Sequence, residues 1–192
     1  MKKRHFLGAA ALAATALPAG AAAKTVAKGP VLLTISGAIA HANRGALDPA
    51  LDQMMHKHKL SFTQAWAADF AALLALPAVT QHTTLEYDAK QHVLRGPLLL
   101  DVLGMAGARL RPDSKIVLRA VDGYAATISA GQARAQRCIV ATHLDGQPMA
   151  LGGLGPLWAM VDADHVPALA ALPLAERFGA CPWALYHIEV GQ

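Results

Sequence analysis

The sequence predicts a mixed α+β fold. Short β-branched and apolar runs recur along the chain, Asp-Gly turns punctuate them, and a few short helical stretches lie between without regular strand–helix alternation. Val31 to Ser36 (VLLTIS) is the first strand, stopped at Gly37. Pro49, in the first turn of a helix begun at Asp48, is expected to lead Leu51, Met54 and Met55 inward. Ser61 or Thr63 then caps a predicted helix running to about Leu76. It carries Trp66, Phe70, Leu73 and Leu74 on one face and ends at Pro77.

Val79 to Tyr87 and His92 to Arg95 read as a strand pair turning at Asp88-Ala89-Lys90. Leu98 to Ala106 is a short apolar helix closed by Gly107. Ile116 to Ala120 and Tyr124 to Ile128 flank the Asp122-Gly123 turn. Cys138 to Ala141 and Leu157 to Val161 are further strands, with Asp145-Gly146 a turn between them. Pro167 to Arg177 is helical in pieces, and Trp183 to Val190 is the last strand.

The N-terminus has the pattern of a removable signal peptide over residues 1–23. Lys2, Lys3 and Arg4 precede an Ala-rich apolar run, Pro18 and Gly20 break it, and Ala21-Ala22-Ala23 offers a cleavage site near Ala23. The run is too short to span a bilayer, and no transmembrane segment is expected in the mature chain. Lys3-Arg4-His5-Phe6-Leu7 resembles the twin-arginine export motif with Lys in the first Arg place, and an ordinary secretory signal shows the same chemistry. The expected location is therefore periplasmic or secreted, with residues 24–192 forming a single domain of about 170 residues, ample for one core.

Removing the signal takes away three cations and no acid, so the formal charge of +4 falls to +1. A mature chain without basic excess gives no electrostatic footprint for nucleic acid, and none for an anionic membrane surface. The expected partner is a small-molecule ligand or a protein. Cys138 and Cys181 would enter an oxidising compartment, where the even count permits a disulfide as well as two buried thiols.

No phosphate-binding loop, dinucleotide fingerprint, Gly-x-Ser-x-Gly elbow, Cys-x-x-Cys or His-Glu-x-x-His occurs in the sequence. Of the nine histidines, His56 and His58 stand two apart beside Met54 and Met55. That spacing does not share a helical face, and a solvated helix end is the simpler reading. His143, His165 and His187 have no spacing that brings them together. No catalytic and no metal-ligating residue is assigned.

An ordered series of segments carries a resemblance. It runs Leu32-Thr34-Ile35-Ser36-Gly37, Leu76-Pro77 with Thr83-Thr84-Leu85, and Arg95-Gly96-Pro97-Leu98-Leu99-Leu100-Asp101-Val102-Leu103. It continues through Asp122-Gly123-Tyr124, Asp145-Gly146-Gln147-Pro148-Met149, Gly155-Pro156-Leu157-Trp158 and Trp183 with Ile188-Glu189-Val190. From Val31 to Val190 this series resembles the oxidoreductase molybdopterin-binding domain, of sulfite-oxidase-like fold, and its short exported single-domain members above all.

The resemblance implies a mixed β-sheet with short helices and, in larger relatives, a molybdenum–pterin cofactor whose metal takes a cysteine thiolate. The position aligned with that cysteine is Tyr87, followed by Asp88-Ala89-Lys90. The implied pocket would be walled by Tyr87, Arg95, Asp122, Tyr124 and Trp158. Arg95, Arg119, Arg134 and Arg137 are the candidates to meet a pterin phosphate. Two readings follow: a molybdopterin-type oxidoreductase without the usual thiolate, and a non-catalytic periplasmic ligand-binding or accessory module that keeps the fold without the metal.

Overall fold

The computed structural model describes residues 29–191. The expected signal peptide and its expected cleavage site lie outside the described residues. Eleven strands and a few short helices make up the described chain, a mixed α+β architecture dominated by sheet. Among the described residues no helix is long and apolar enough to cross a membrane.

The main sheet has five strands. In spatial order they are β2 (Trp66–Asp69), β1 (Val31–Gly37), β11 (Leu185–Val190), β5 (Lys115–Ala120) and β6 (Ala125–Ser129). β1 and β11 run parallel, pairing the two ends of the described chain, and the other neighbours are antiparallel. Strand alternation sends Leu33, Ile35, Ile116, Leu118, Ile128 and Ile188 to one face, where they form the core. Thr34, Ser36, His187, Glu189 and Arg119 fall on the other face by the same alternation.

A second sheet orders β3 (Ala78–Thr84), β4 (Gln91–Pro97), β8 (His143–Leu144) and β9 (Gln147–Pro148), all antiparallel. β7 (Ile139–Ala141) and β10 (Trp158–Met160) form a separate pair. Helices α3 (Leu99–Met105) and α4 (Ala130–Ala135) contribute Leu99, Val102, Leu103, Ala130 and Ala133 to the core. Ser129 caps α4, its Oγ accepting from Gln132 N at 3.0 Å. That helix was not expected from the sequence, because its Ala-rich run carries little apolar periodicity.

Two predicted helices are corrected. The stretch from Ser61 to Leu76 is not one helix: Trp66–Asp69 is strand β2, and only Phe70–Leu74 is helical (α2). The exposed backbone edge of β1 takes β2 as a partner. The cap is Asp69, which accepts from Ala72 N at 2.8 Å. Leu74, expected inside, is 46% exposed. The helix expected from Asp48 is likewise reduced to α1 (Gln53–Lys57), with no buried residue. Asp48 instead closes a turn, its Oδ1 accepting from Ala50 N and Leu51 N, and Leu51 points to solvent.

That segment acts as a strap over the polar face of the main sheet. Arg44 is bonded to Asp52 at 2.5 Å and sits 5.2 Å above the Phe62 ring. Phe62 in turn stacks on His187 at 6.2 Å and 15°. Strands β1, β3, β4, β5, β6, β7, β10 and β11, the two Asp-Gly turns and the closing Gly107, with φ of +66°, fall where the sequence places them. Strands β8 and β9, two residues each, are too short to show a strand pattern in the sequence.

Candidate functional site

A cavity of about 250 Å³ opens where three connections meet. The first is the β3–β4 turn, bringing Glu86 and Tyr87. The second is the β5–β6 turn, with Ala120, Asp122 and Tyr124. The third is the segment leading into β11, with Ala175, Phe178, Gly179, Cys181, Pro182 and Trp183. Loops carried on sheet ends are where binding groups gather, since the scaffold holds them while their side chains stay open.

Each wall is fixed locally. Asp122 Oδ1 accepts from Tyr124 N at 2.8 Å, and Gly123 (φ +93°) takes the left-handed position that closes this turn. The Tyr124 hydroxyl donates to the Gly179 carbonyl at 2.6 Å, tying the β5–β6 turn to the opposite wall. Tyr87 packs on the buried Trp158 ring, with centroids 6.3 Å apart. Trp158 Nε1 donates to the Cys181 carbonyl at 2.8 Å. Burial, then the adjacent Glu86 carboxylate, pushes the Tyr87 phenol up; the Trp183 indole opposes that shift.

Three of the five expected pocket residues, Tyr87, Asp122 and Tyr124, line this cavity. Trp158 stands behind Tyr87 as support, being 1% exposed. Arg95 does not line it. It lies on β4 opposite His143 and Thr80, with its side exposed, while its neighbour Leu94 faces the core. Glu86, Phe178, Cys181 and Trp183 were not anticipated as lining residues. For Glu86 the signal was its place beside Tyr87. For the others there was none, because only the tertiary fold brings the segment before β11 to the two turns.

The cysteines are two free, buried thiols. Burial pushes the Cys181 thiol up to about 12 and holds Cys138 well above its ordinary value. A thiol so disfavoured as thiolate is a poor nucleophile. Arg119 pairs with Glu189 at 2.9 Å on the polar face of the main sheet. Arg134 and Arg137 lie by α3 and α4 around Asp101 and Cys138. Among the described residues no Lys or Arg lines the Tyr87 cavity.

A second constellation was invisible in the sequence. Ser36 Oγ lies 3.0 Å from His187 Nε2 across the β1–β11 pair. A serine–histidine contact suggests nucleophile activation, but the geometry opposes it. Both residues are buried, at 3% and 1% exposure, Phe62 covers the imidazole, and among the described residues His187 Nδ1 has no partner to orient it. Burial, with nearby Arg119, lowers His187 to about 4, so it stays neutral at physiological pH.

His143 and His165 are placed elsewhere, beside Phe70 and Asp162 respectively, so the three late histidines engage separate partners. Among the described residues no group of three or more His, Cys, Asp or Glu is arranged to hold a metal ion. No protein-family model matches the chain, and a search of curated proteins finds no match either.

Proposed function

We propose that the chain is a non-catalytic ligand-binding module, built on a sulfite-oxidase-like frame and working outside the cytoplasm after export. The reading is carried by one observation: among the described residues, the cavity at Tyr87, Asp122 and Tyr124 is walled by aromatic rings and two carboxylates with no basic side chain. Such a site is concave, partly apolar and furnished with a few polar groups, as small-molecule sites are.

The residues present do not fit a molybdenum–pterin cofactor. Its phosphate calls for arginine or lysine partners, and here Glu86 and Asp122 would meet it instead. A soft thiolate is expected on the metal. The aligned position holds the phenol of Tyr87. Cys181 brings a sulfur to the wall, which is the one observation favouring the oxidoreductase reading, but that thiol is buried and far from thiolate.

Molybdenum analysis of the protein purified after export from a host that makes the cofactor decides between the two. The expected result is no stoichiometric metal. One molybdenum per chain would overturn the binding-module reading.

A further inference from the structure

We infer that this cavity binds a small organic cation of the alkylammonium type, an inference that rests on reading the chain as a ligand-binding module. Four rings, Tyr87, Tyr124, Phe178 and Trp183, share one cavity with Glu86 and Asp122. The face of an aromatic ring carries negative potential, so rings converging on one space attract a cation, and a quaternary ammonium above all. The two carboxylates add charge of the complementary sign. Among the described residues neither forms a salt bridge, and no basic side chain in the lining competes for them.

The other ligand classes suit the cavity less well. An anion would meet two carboxylates at close quarters. A neutral apolar ligand would strip water from those carboxylates and leave them without compensation. A metal ion would need clustered donors, and none of the groups among the described residues has that arrangement.

The cage is also held in place before any ligand arrives. The Tyr124 hydroxyl is fixed on Gly179, Asp122 on the Tyr124 amide, and Tyr87 against Trp158. Such prior order lowers the entropic cost of binding. At about 250 Å³ the space equals roughly eight waters of liquid volume, which suits an ammonium head group and a short chain.

Calorimetric titration of the mature protein with tetramethylammonium, choline, the uncharged choline isostere 3,3-dimethylbutan-1-ol and inorganic phosphate tests this. Intrinsic tryptophan fluorescence would follow the same titrations, its response attributed to Trp183 where Trp183→Leu abolishes it. Choline is expected to bind at least tenfold more tightly than the isostere, and phosphate not at all. Glu86→Gln and Asp122→Asn should each weaken choline severalfold while leaving the thermal midpoint unchanged, since Asn still accepts from the Tyr124 amide. Trp183→Leu should weaken both ammonium probes.

Equal binding of choline and its isostere, or no binding of either ammonium probe, would overturn the assignment. If the alcohol or phosphate binds instead, the cation assignment fails while the binding-module reading stands. Stoichiometric molybdenum in the same preparation would overturn that reading itself.

Discussion

His187 and His92 are shifted in opposite directions by their surroundings. His187 lies between Ser36 and the Phe62 ring, and burial with nearby Arg119 drives it down to about 4. The unfolded chain, with an ordinary imidazole near 6.5, therefore binds more protons between those two values. Stability should fall as the pH drops from 6.5 towards 4, by about 3 kcal/mol in all. Denaturant unfolding at pH 7 and pH 4.5 checks this: His187→Gln should shrink the acid loss, and an unchanged loss would refute the account.

His92 goes the other way. Its Nδ1 lies 2.7 Å from Asp145 and its Nε2 about 3.1 Å from Asp88, and these carboxylates raise it against a smaller desolvation effect. The stability it contributes is present below about 6.5 and is lost as pH rises through the raised value. A proton NMR titration should place its midpoint above that of a free histidine, returning towards normal in Asp145→Asn. Of the site residues that the resemblance implies, Tyr87, Asp122 and Tyr124 lie at the connections between strands and line one cavity. Arg95 came from a strand, where period-two alternation opposite buried Leu94 turns it to solvent away from them.

At the scale of elements, two glycines separate packing from propensity. A Cβ on Gly96 of β4 would lie 2.0 Å from the Val140 carbonyl oxygen, because β4 and β7 approach there without side chains between them. Gly96→Ala should destabilise the protein by about 1–3 kcal/mol or more, since backbone on both sides must shift. Gly104 lies within α3 with no atom near such a Cβ. Gly104→Ala should stabilise by about 0.5–1 kcal/mol through helix propensity. Thermal or urea unfolding of both variants checks the signs, and equal effects would refute the distinction.

The stretch from Ser61 to Leu76 belongs to this scale too. Its apolar residues do recur at helical spacing, but Trp66–Asp69 pairs with the edge of β1, and sheet hydrogen bonding overrides local preference.

At the scale of the molecule, the cavity depends on how the segment from about residue 162 to 183 is tethered. Asp164 Oδ2 accepts from Thr84 N at 2.7 Å and Thr84 Oγ1 at 2.9 Å, at the end of β3. Its Oδ1 receives Arg177 Nη1 at 2.9 Å, while Arg177 also donates to the Leu172 and Ala170 carbonyls. This one network joins the strand leading to Glu86 and Tyr87 with the loop carrying Phe178 and Cys181. Arg177→Ala should cost about 2 kcal/mol, as charged hydrogen bonds in a partly buried setting do. It should also weaken choline binding though Arg177 does not line the cavity, chiefly through faster dissociation. Urea unfolding with stopped-flow release measures both; a stability loss with unaltered release would show that the tether does not shape the site.

The sequence by itself determined most strands, both Asp-Gly turns and the mixed α+β class, because side-chain alternation and turn chemistry act over a few residues. Three of the cavity's residues, Tyr87, Asp122 and Tyr124, are among those implied by the family resemblance of the sequence. Only the tertiary structure decided that Trp66–Asp69 forms an edge strand, that Ser36 meets His187, and that Phe178, Cys181 and Trp183 close the wall opposite Asp122. Those contacts join residues tens to more than a hundred positions apart, and no local pattern encodes such a pairing. The charge of the cavity, two carboxylates without a cation among the described residues, is likewise a property of the assembled walls rather than of any one segment.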